Sequence, residues 1–211
     1  MGGGQTAELS GRASRDERRP DVERRLLDAV GSLCDAGVSF AELSVSRLVR
    51  EAGLGRATFY LYFPDRAAFV LRLAEHVRDR LTAPALDMWA TILQDRTAFE
   101  AAVDDFAETF RSDYALVAAL LETAATDPQV GKALNANMEM FIAKSAEVIE
   151  DGQRRRIVRA DLHPFETAAA LISMTERTCY RLAQEDDTEA RRRLAQTLSA
   201  LVWYALHEPV A

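Results

Sequence analysis

Apolar residues recur along this chain three and four positions apart and never alternate with polar ones over the length of a strand. Val22, Leu26, Val30 and Leu33 make one stripe after Pro20-Asp21, and Gly37 can stop that helix. Ser44 can cap a short second helix whose apolar positions Val45, Leu48, Val49 and Ala52 fall at i, i+3, i+4 and i+7, with Gly53 ending it. A third short helix starts near Gly55 and a fourth at Asp65, after the Phe63-Pro64 break. Further on, Thr97 to Glu100 has the form of a capping box, and Asp113 can cap the run YALVAALLETAAT. Asp127-Pro128 opens a long helix with Gly152 near its end, His163-Pro164 opens another, and Thr188 can cap the last, which runs to about His207. The expected fold is all-α, with about nine helices.

The last of these helices carries ALVWYAL from Ala200 to Leu206, apolar on every side. Such a helix must be covered on more than one face. One face packs on its own chain, and a second copy is the simplest cover for the other, so a homodimer through the last two helices is expected. A central core helix is the competing reading.

Composition changes this picture little. The 211 residues include 48% hydrophobic and 28% charged positions, as in an ordinary globular protein. No apolar run spans a bilayer and no signal segment opens the chain, which excludes a membrane partner at this level. MGGGQT matches the spacing of a myristoylation signal, Gly2 with Thr6, but reads as a glycine-rich tail. Residues 1–19 are expected to form a disordered basic arm carrying Arg12, Arg15, Arg18 and Arg19. Cys34 and Cys179 have no metal or redox spacing and read as reduced thiols of a cytoplasmic protein.

Charge matters more. The formal net charge of -7 argues against a nucleic-acid partner until it is divided along the chain. Residues 1–66 hold 10 arginines and 10 acidic residues, while the remainder holds 16 basic and 23 acidic ones. An arginine-dotted front therefore precedes an acidic rear.

Within that front, GLGRATFYLYFPDR (residues 53–66) places Phe59, Tyr60, Tyr62 and Phe63 within five positions. Short helix, glycine turn and short helix is the layout of a helix-turn-helix, whose second helix enters the major groove. A phosphate-binding glycine loop fails here, because a helix and not a strand precedes it and Thr58 stands where the third glycine belongs. On a helix, Phe59 and Phe63 fall on one face and can bury. Arg56 and Tyr60 form a second i, i+4 pair, and Ala57 and Leu61 a third. Tyr60 and Tyr62 can offer hydroxyls to phosphates while Arg56 and Thr58 approach base edges. Arg66, just after the cap Asp65, sits where a docked phosphate would suit a helix N-terminus.

The segment SVSRLVREAGLGRATFYLYFPDRAAFV, Ser44 to Val70, resembles the tetracycline-repressor (TetR) family of bacterial transcription regulators, and with helix one the match covers about Asp21 to Arg80. The resemblance implies a homodimer, an N-terminal DNA-binding domain over residues 20–80 and a ligand and dimer domain over 81–211. It implies DNA contact at Ser44, Val45, Ser46, Arg56, Ala57, Thr58, Tyr60, Leu61, Tyr62 and Arg66. Gly55 departs from the usual Ser or Thr cap, Arg66 from the usual Lys, and the following Glu is missing. More loosely, FEAAVDDFAETF, FIAKSAEVIEDG and LISMTERTCY resemble the branch containing the repressor of the ethionamide-activating monooxygenase, which holds elongated apolar ligands in its bundle.

Three helices can each point side chains inward as candidate effector contacts, Phe99, Phe106 and Phe110, then Met138 and Phe141, then Ile172 and Thr175 with Glu176, although plain core packing competes for most of them. Thr175 is distinctive, because its stripe otherwise consists of Phe165, Ala168, Ile172, Cys179 and Leu182. Its hydroxyl can bond back to its own helix or meet a polar group of a ligand. Glu176 can pair with Arg177 or another neighbour. No nucleophile, metal or phosphate motif points to an enzyme or to a cofactor. The function implied is a ligand-responsive repressor on a palindromic operator, cytoplasmic and held on the nucleoid when DNA-bound. A helical carrier or enzyme that keeps the helix-turn-helix as scaffold is the alternative.

Overall fold

The computed structural model describes the backbone of residues 3–207 and the side chains of residues 17–207. The described residues form nine α-helices and no strand: α1 (Gly3–Asp35), α2 (Val45–Glu51), α3 (Arg56–Tyr62), α4 (Arg66–Thr91), α5 (Arg96–Ser112), α6 (Tyr114–Ala124), α7 (Pro128–Arg154), α8 (Pro164–Gln184) and α9 (Thr188–Leu206). The chain divides into two compact units, Met1–Leu73 with Ala115–Val130, and Ala74–Tyr114 with Gly131–Ala211. The division falls inside α4 at Leu73, where the sequence pattern placed it at Arg80, and α6 joins the first unit from Ala115 onward.

In the first unit α1 packs on α2 and α2 on α3. Leu26, Val30, Leu48, Val49, Phe59, Phe63, Phe69 and Leu73 are buried. Glycines close the first two helices. Gly37 (φ 80°) lets the Val38 amide donate to Leu33 O at 3.0 Å, and Gly53 (φ 62°) lets the Leu54 amide donate to Val49 O at 2.7 Å. Both satisfy carbonyls that a helix end would otherwise leave open. Residues 3–19, expected as a disordered arm, are helical and continuous with α1. Ala7, Glu8, Leu9, Arg12, Ala13 and Glu17 are good helix formers, and no proline interrupts them before Pro20. Arg19 donates to Glu23 at 2.7 Å and lies 5.9 Å from the Phe63 ring centroid. Arg12 and Arg15 have side chains outside the described residues, and Gly2 lies outside them altogether.

In the second unit α5 packs on α8 and α9, and α8 on α9, around Trp89, Ile92, Phe99, Ile149, Ile172, Val202 and Leu206. Two caps differ from expectation. Asp95, not Thr97, caps α5 by accepting the Ala98 amide at 2.8 Å. Asp113 stands between α5 and α6, and its carboxylate pairs with the half-exposed Arg80 at 2.7 Å. Asp187, not Thr188, caps α9. At α5 and α9 an aspartate one or two residues away offers a charged, stronger acceptor than the threonine. Gly152 is required for close approach. A Cβ there would stand 2.5 Å from Val158 Cγ2 and 2.8 Å from Leu93 Cδ2.

α9 shows both faces its sequence demanded. Leu198, Val202 and Leu206 are buried, while Leu201 is 54% and Tyr204 57% exposed. Burial, with the Glu176 charge, pushes the Cys179 thiol up to about 12, so it stays protonated; Cys34 is also free.

Candidate functional site

The site is built on α3, which has only seven residues and no side-chain cap. A helix that short needs tertiary support. Phe59 supplies it: fully buried, it packs with Phe63 at 5.5 Å and Phe69 at 5.8 Å between ring centroids, the latter edge-on. The opposite side of α3 faces solvent. Tyr60 is 46% and Leu61 48% exposed, and Arg56 and Ala57 are exposed beside them. Arg56 lies over the Tyr60 ring at 5.9 Å, a cation–π contact that orders the guanidinium without covering its donors. Thr58 and Tyr62 are half-buried flankers.

α2 packs on α3 and exposes its first turn. Ser44 accepts the Arg47 amide at 3.2 Å, Ser46 is exposed and Val45 is half-buried. The Ser44 side chain is thus engaged as a cap.

The turn between α2 and α3 is held by a residue that sequence reasoning missed. Arg25 of α1 donates from Nε and Nη2 to Ala52 O at 3.1 and 2.7 Å, and from Nη2 to Gly53 O at 2.7 Å. A cation on the terminal carbonyls of α2 also complements the helix dipole. No local pattern marks Arg25, because its partners lie 27 and 28 residues away.

Arg66 takes a place different from the one expected. Its Nη2 donates to Phe40 O at 2.5 Å, and its guanidinium lies 4.9 Å from the Phe40 ring centroid. Half-buried and bonded to the α1–α2 loop, it secures that loop to the start of α4. Glu122 of α6 secures the same loop from another side, accepting the Phe40 amide at 2.9 Å and the Ser39 hydroxyl. The Ser39 hydroxyl foremost, then backbone amides of that loop and the Arg66 charge, hold the Glu122 carboxyl below its ordinary value. The one sequence signal for Glu122 was a lone carboxylate in the apolar run of α6. Glu23 of α1 is similarly bound. Burial pushes its carboxyl up, and Arg19 with Arg72 (2.8 Å) outweighs that to leave it lowered.

The candidate effector residues divide in the second unit. Phe99 and Ile172 sit inside the core, with Phe106, Met138 and Phe141 packed on it half-buried. Phe110 and Thr175 are buried. Phe110 meets Tyr180 edge-on at 5.4 Å and Phe106 at 6.3 Å. Glu176 pairs with Tyr180, accepting its hydroxyl at 3.0 Å, and not with Arg177. Thr178 and Ser173 bond back to their own helix, whereas Thr175 makes no such bond among the described residues.

A glycine-turned pair of short helices, one buried through phenylalanine and presenting arginine and tyrosine outward, defines a helix-turn-helix DNA-binding regulator. Residues 36–73 match the family described as "Bacterial regulatory proteins, tetR family", and residues 99–206 match "Transcriptional regulator EthR, C-terminal domain". The HTH-type transcriptional regulator EthR of Mycobacterium tuberculosis is 31% identical over 166 residues, covering 75% of this chain and 74% of that protein. Its counterpart in Mycolicibacterium smegmatis is 28% identical over 197 residues, covering 92% and 90%. The fold is shared with the fatty acid degradation regulator FadR of Bacillus halodurans (TM-score 0.71, 14% identity, 89% of this chain and 97% of that one). It is shared too with a TetR transcription regulator of Haloarcula marismortui (TM-score 0.68, 20% identity, 89% and 100%). The chain belongs to the TetR family of transcriptional regulators, in the branch with an EthR-type C-terminal domain. Among its described residues no helix is long and apolar enough to cross a membrane.

Proposed function

We propose that the protein is a repressor that binds a two-fold symmetric operator as a homodimer, with α3 of each copy in a major groove. The observation that carries this is the division of α3 into a buried phenylalanine face and an exposed face of Arg56, Ala57, Tyr60 and Leu61. Arg56 reads a base edge. Ser46 and Tyr60 reach phosphates, and Val45, Thr58, Leu61 and Tyr62 complete the contact surface. Ser44 contributes as the cap of α2. Arg66 serves DNA binding by holding the α1–α2 loop. The two copies meet through α8 and α9, where Phe165, Leu201 and Tyr204 are large, apolar and exposed. Such an operator requires the two recognition helices to lie about 34–36 Å apart, the repeat of successive major grooves.

The second unit binds a lipophilic effector with one or two polar groups, contacted by Phe110, Thr175 and Glu176. The unbonded Thr175 hydroxyl supports this reading. The effector releases DNA by favouring a dimer whose α3 spacing no longer fits, which requires tighter binding to that state.

Selection of bound sequences from random DNA tests the reading. Wild type should enrich an inverted repeat, and a variant lacking Arg56 and Tyr60 side chains should enrich nothing. Enrichment of the same motif by both would refute the role given to α3.

A further inference from the structure

Glu23 of α1 is a buried acid with an arginine on each oxygen. Its Oε1 accepts Nε of Arg19, on the same helix, at 2.7 Å, and its Oε2 accepts Nε of Arg72, on α4, at 2.8 Å. Two cations thus share one anion, and the cluster keeps one positive charge. Fastening α1 to α4 needs only the second bond. An apolar pair would serve that purpose at least as well, since a buried carboxylate must first lose its water. The first bond lies within α1 and ties no two helices together. What it does is fix Arg19.

Arg19 is fixed beside α3. Its guanidinium lies 5.9 Å from the centroid of the Phe63 ring, and Phe63 closes α3, its amide donating to Phe59 O at 2.9 Å. A cation there complements the negative end of a helix that has no basic residue in its own last turn. Only Nε of the guanidinium is engaged. Among the described residues neither Nη of Arg19 donates a hydrogen bond, and the side chain is 48% exposed. An arginine held through Nε and a ring, with its outer nitrogens open, is prepared for a phosphate, because little rotamer freedom remains to be lost on contact.

We infer that Glu23 is a positioning residue for DNA binding: it holds Arg19 at the end of α3 so that the outer guanidinium nitrogens take a backbone phosphate of the duplex. This rests on the reading that α3 enters the major groove, which brings the strands flanking the groove alongside that helix. Arg56 and Arg19 then divide the work at α3, one facing bases and the other the backbone.

Fluorescence anisotropy of the full chain on two duplexes tests this, one carrying the inverted repeat recovered by selection and one scrambled, each over a salt series. Arg19→Gln should weaken both alike, at least about threefold, and flatten the salt dependence by about one unit per subunit. Glu23→Gln is the sharper variant, because charge and position predict opposite signs. Binding should tighten on its loss if the acid merely repels the duplex. A positioning acid instead gives binding about threefold weaker, and that loss should vanish in the Arg19→Gln background. Melting curves confirm that each variant is folded at the assay temperature. Should Glu23→Gln not fold, Glu23→Asp, which keeps the charge and shortens the reach, takes its place in the same comparison. An unchanged salt dependence in Arg19→Gln, or binding that is equal or tighter in the Glu23 variant, would overturn the inference. So would a loss of the same size in both backgrounds, which marks Glu23 as a support of the fold alone. Base preference judges α3 separately. An Arg56→Ala protein with unaltered preference refutes the placement of α3, whereas base discrimination by Arg56 alongside a wild-type salt dependence in Arg19→Gln refutes only the role of Glu23 and Arg19.

Discussion

Glu122 Oε2 accepts the amide of Phe40 at 2.9 Å across 82 positions of sequence, while its other oxygen takes the Ser39 hydroxyl. One carboxylate of α6 thus terminates the loop that leads into the helix-turn-helix. Replacing it with alanine strands an amide and a hydroxyl and should cost about 1–2 kcal/mol of stability. Because its carboxyl is held below its ordinary value, the contribution is present at neutral pH and is lost as pH falls through the lowered value. Melting curves of wild type and Glu122→Gln should therefore converge toward acid pH. Parallel curves at every pH would exclude the ionised clasp.

Arg66→Ala removes both the bond to Phe40 O and the contact with its ring. The expected result is a loss of about 1–2 kcal/mol in stability, with cognate and scrambled DNA weakened alike. An unchanged melting temperature with a salt dependence flattened by about one unit would instead return Arg66 to the phosphate backbone.

Arg56→Ala should behave differently. Exposed on α3 and resting on the Tyr60 ring, the guanidinium adds little to folding. Its loss should lower affinity by about 1–3 kcal/mol for the cognate site alone and relax one position in each half-site. Competition titrations over single-base operator variants would show this, and uniform weakening would contradict it.

Gly53→Ala should injure the turn twice. The residue sits at φ 62°, and a Cβ would stand 2.9 Å from Arg25 Nη2. A cost of about 1–2 kcal/mol is expected from the backbone alone, and displacement of Arg25 should add DNA-binding loss. Arg25→Ala should reproduce the binding defect. A Gly53→Ala protein with wild-type stability and operator affinity would show that the turn tolerates a side chain.

Thr175→Val exchanges the hydroxyl of a buried residue, which makes no hydrogen bond among the described residues, for a methyl of nearly the same size. Stability should hold or rise by up to about 1 kcal/mol, while effector-induced release weakens. A large loss of stability would mean that the hydroxyl has a structural partner after all.

The helices, their order and the helix-turn-helix were legible in the sequence because each rests on local periodicity. Ser44, Gly37, Gly53 and the Asp127-Pro128 start act within one or two turns of chain. The division of Phe59 and Phe63 from Tyr60 and Arg56 followed from helical spacing alone. What escaped was set by distant partners. Arg25, Arg66 and Glu122 meet carbonyls or amides 26 to 82 residues away, and no window of sequence contains both ends. The caps at Asp95 and Asp187 were missed for a local reason, since threonine and aspartate competed within two residues. The effector residues were half legible. Periodicity put Phe99, Phe106 and Phe110 on one helix, but only the fold sent Phe99 into the core and left Phe106 half-buried against it.

The Glu122 clasp also bears on how far this architecture can be rearranged. The N-terminal unit includes Ala115–Val130, a stretch that follows 41 residues assigned to the other unit. A fragment cut after Arg80 would therefore lack its last tie and should be a poor stand-in for the intact reader. The same topology restricts domain shuffling. A chimaera that joins this helix-turn-helix to another sensor must bring along an acid able to grip residues 39 and 40, so recombination within α4 is safe only between chains that share the clasp.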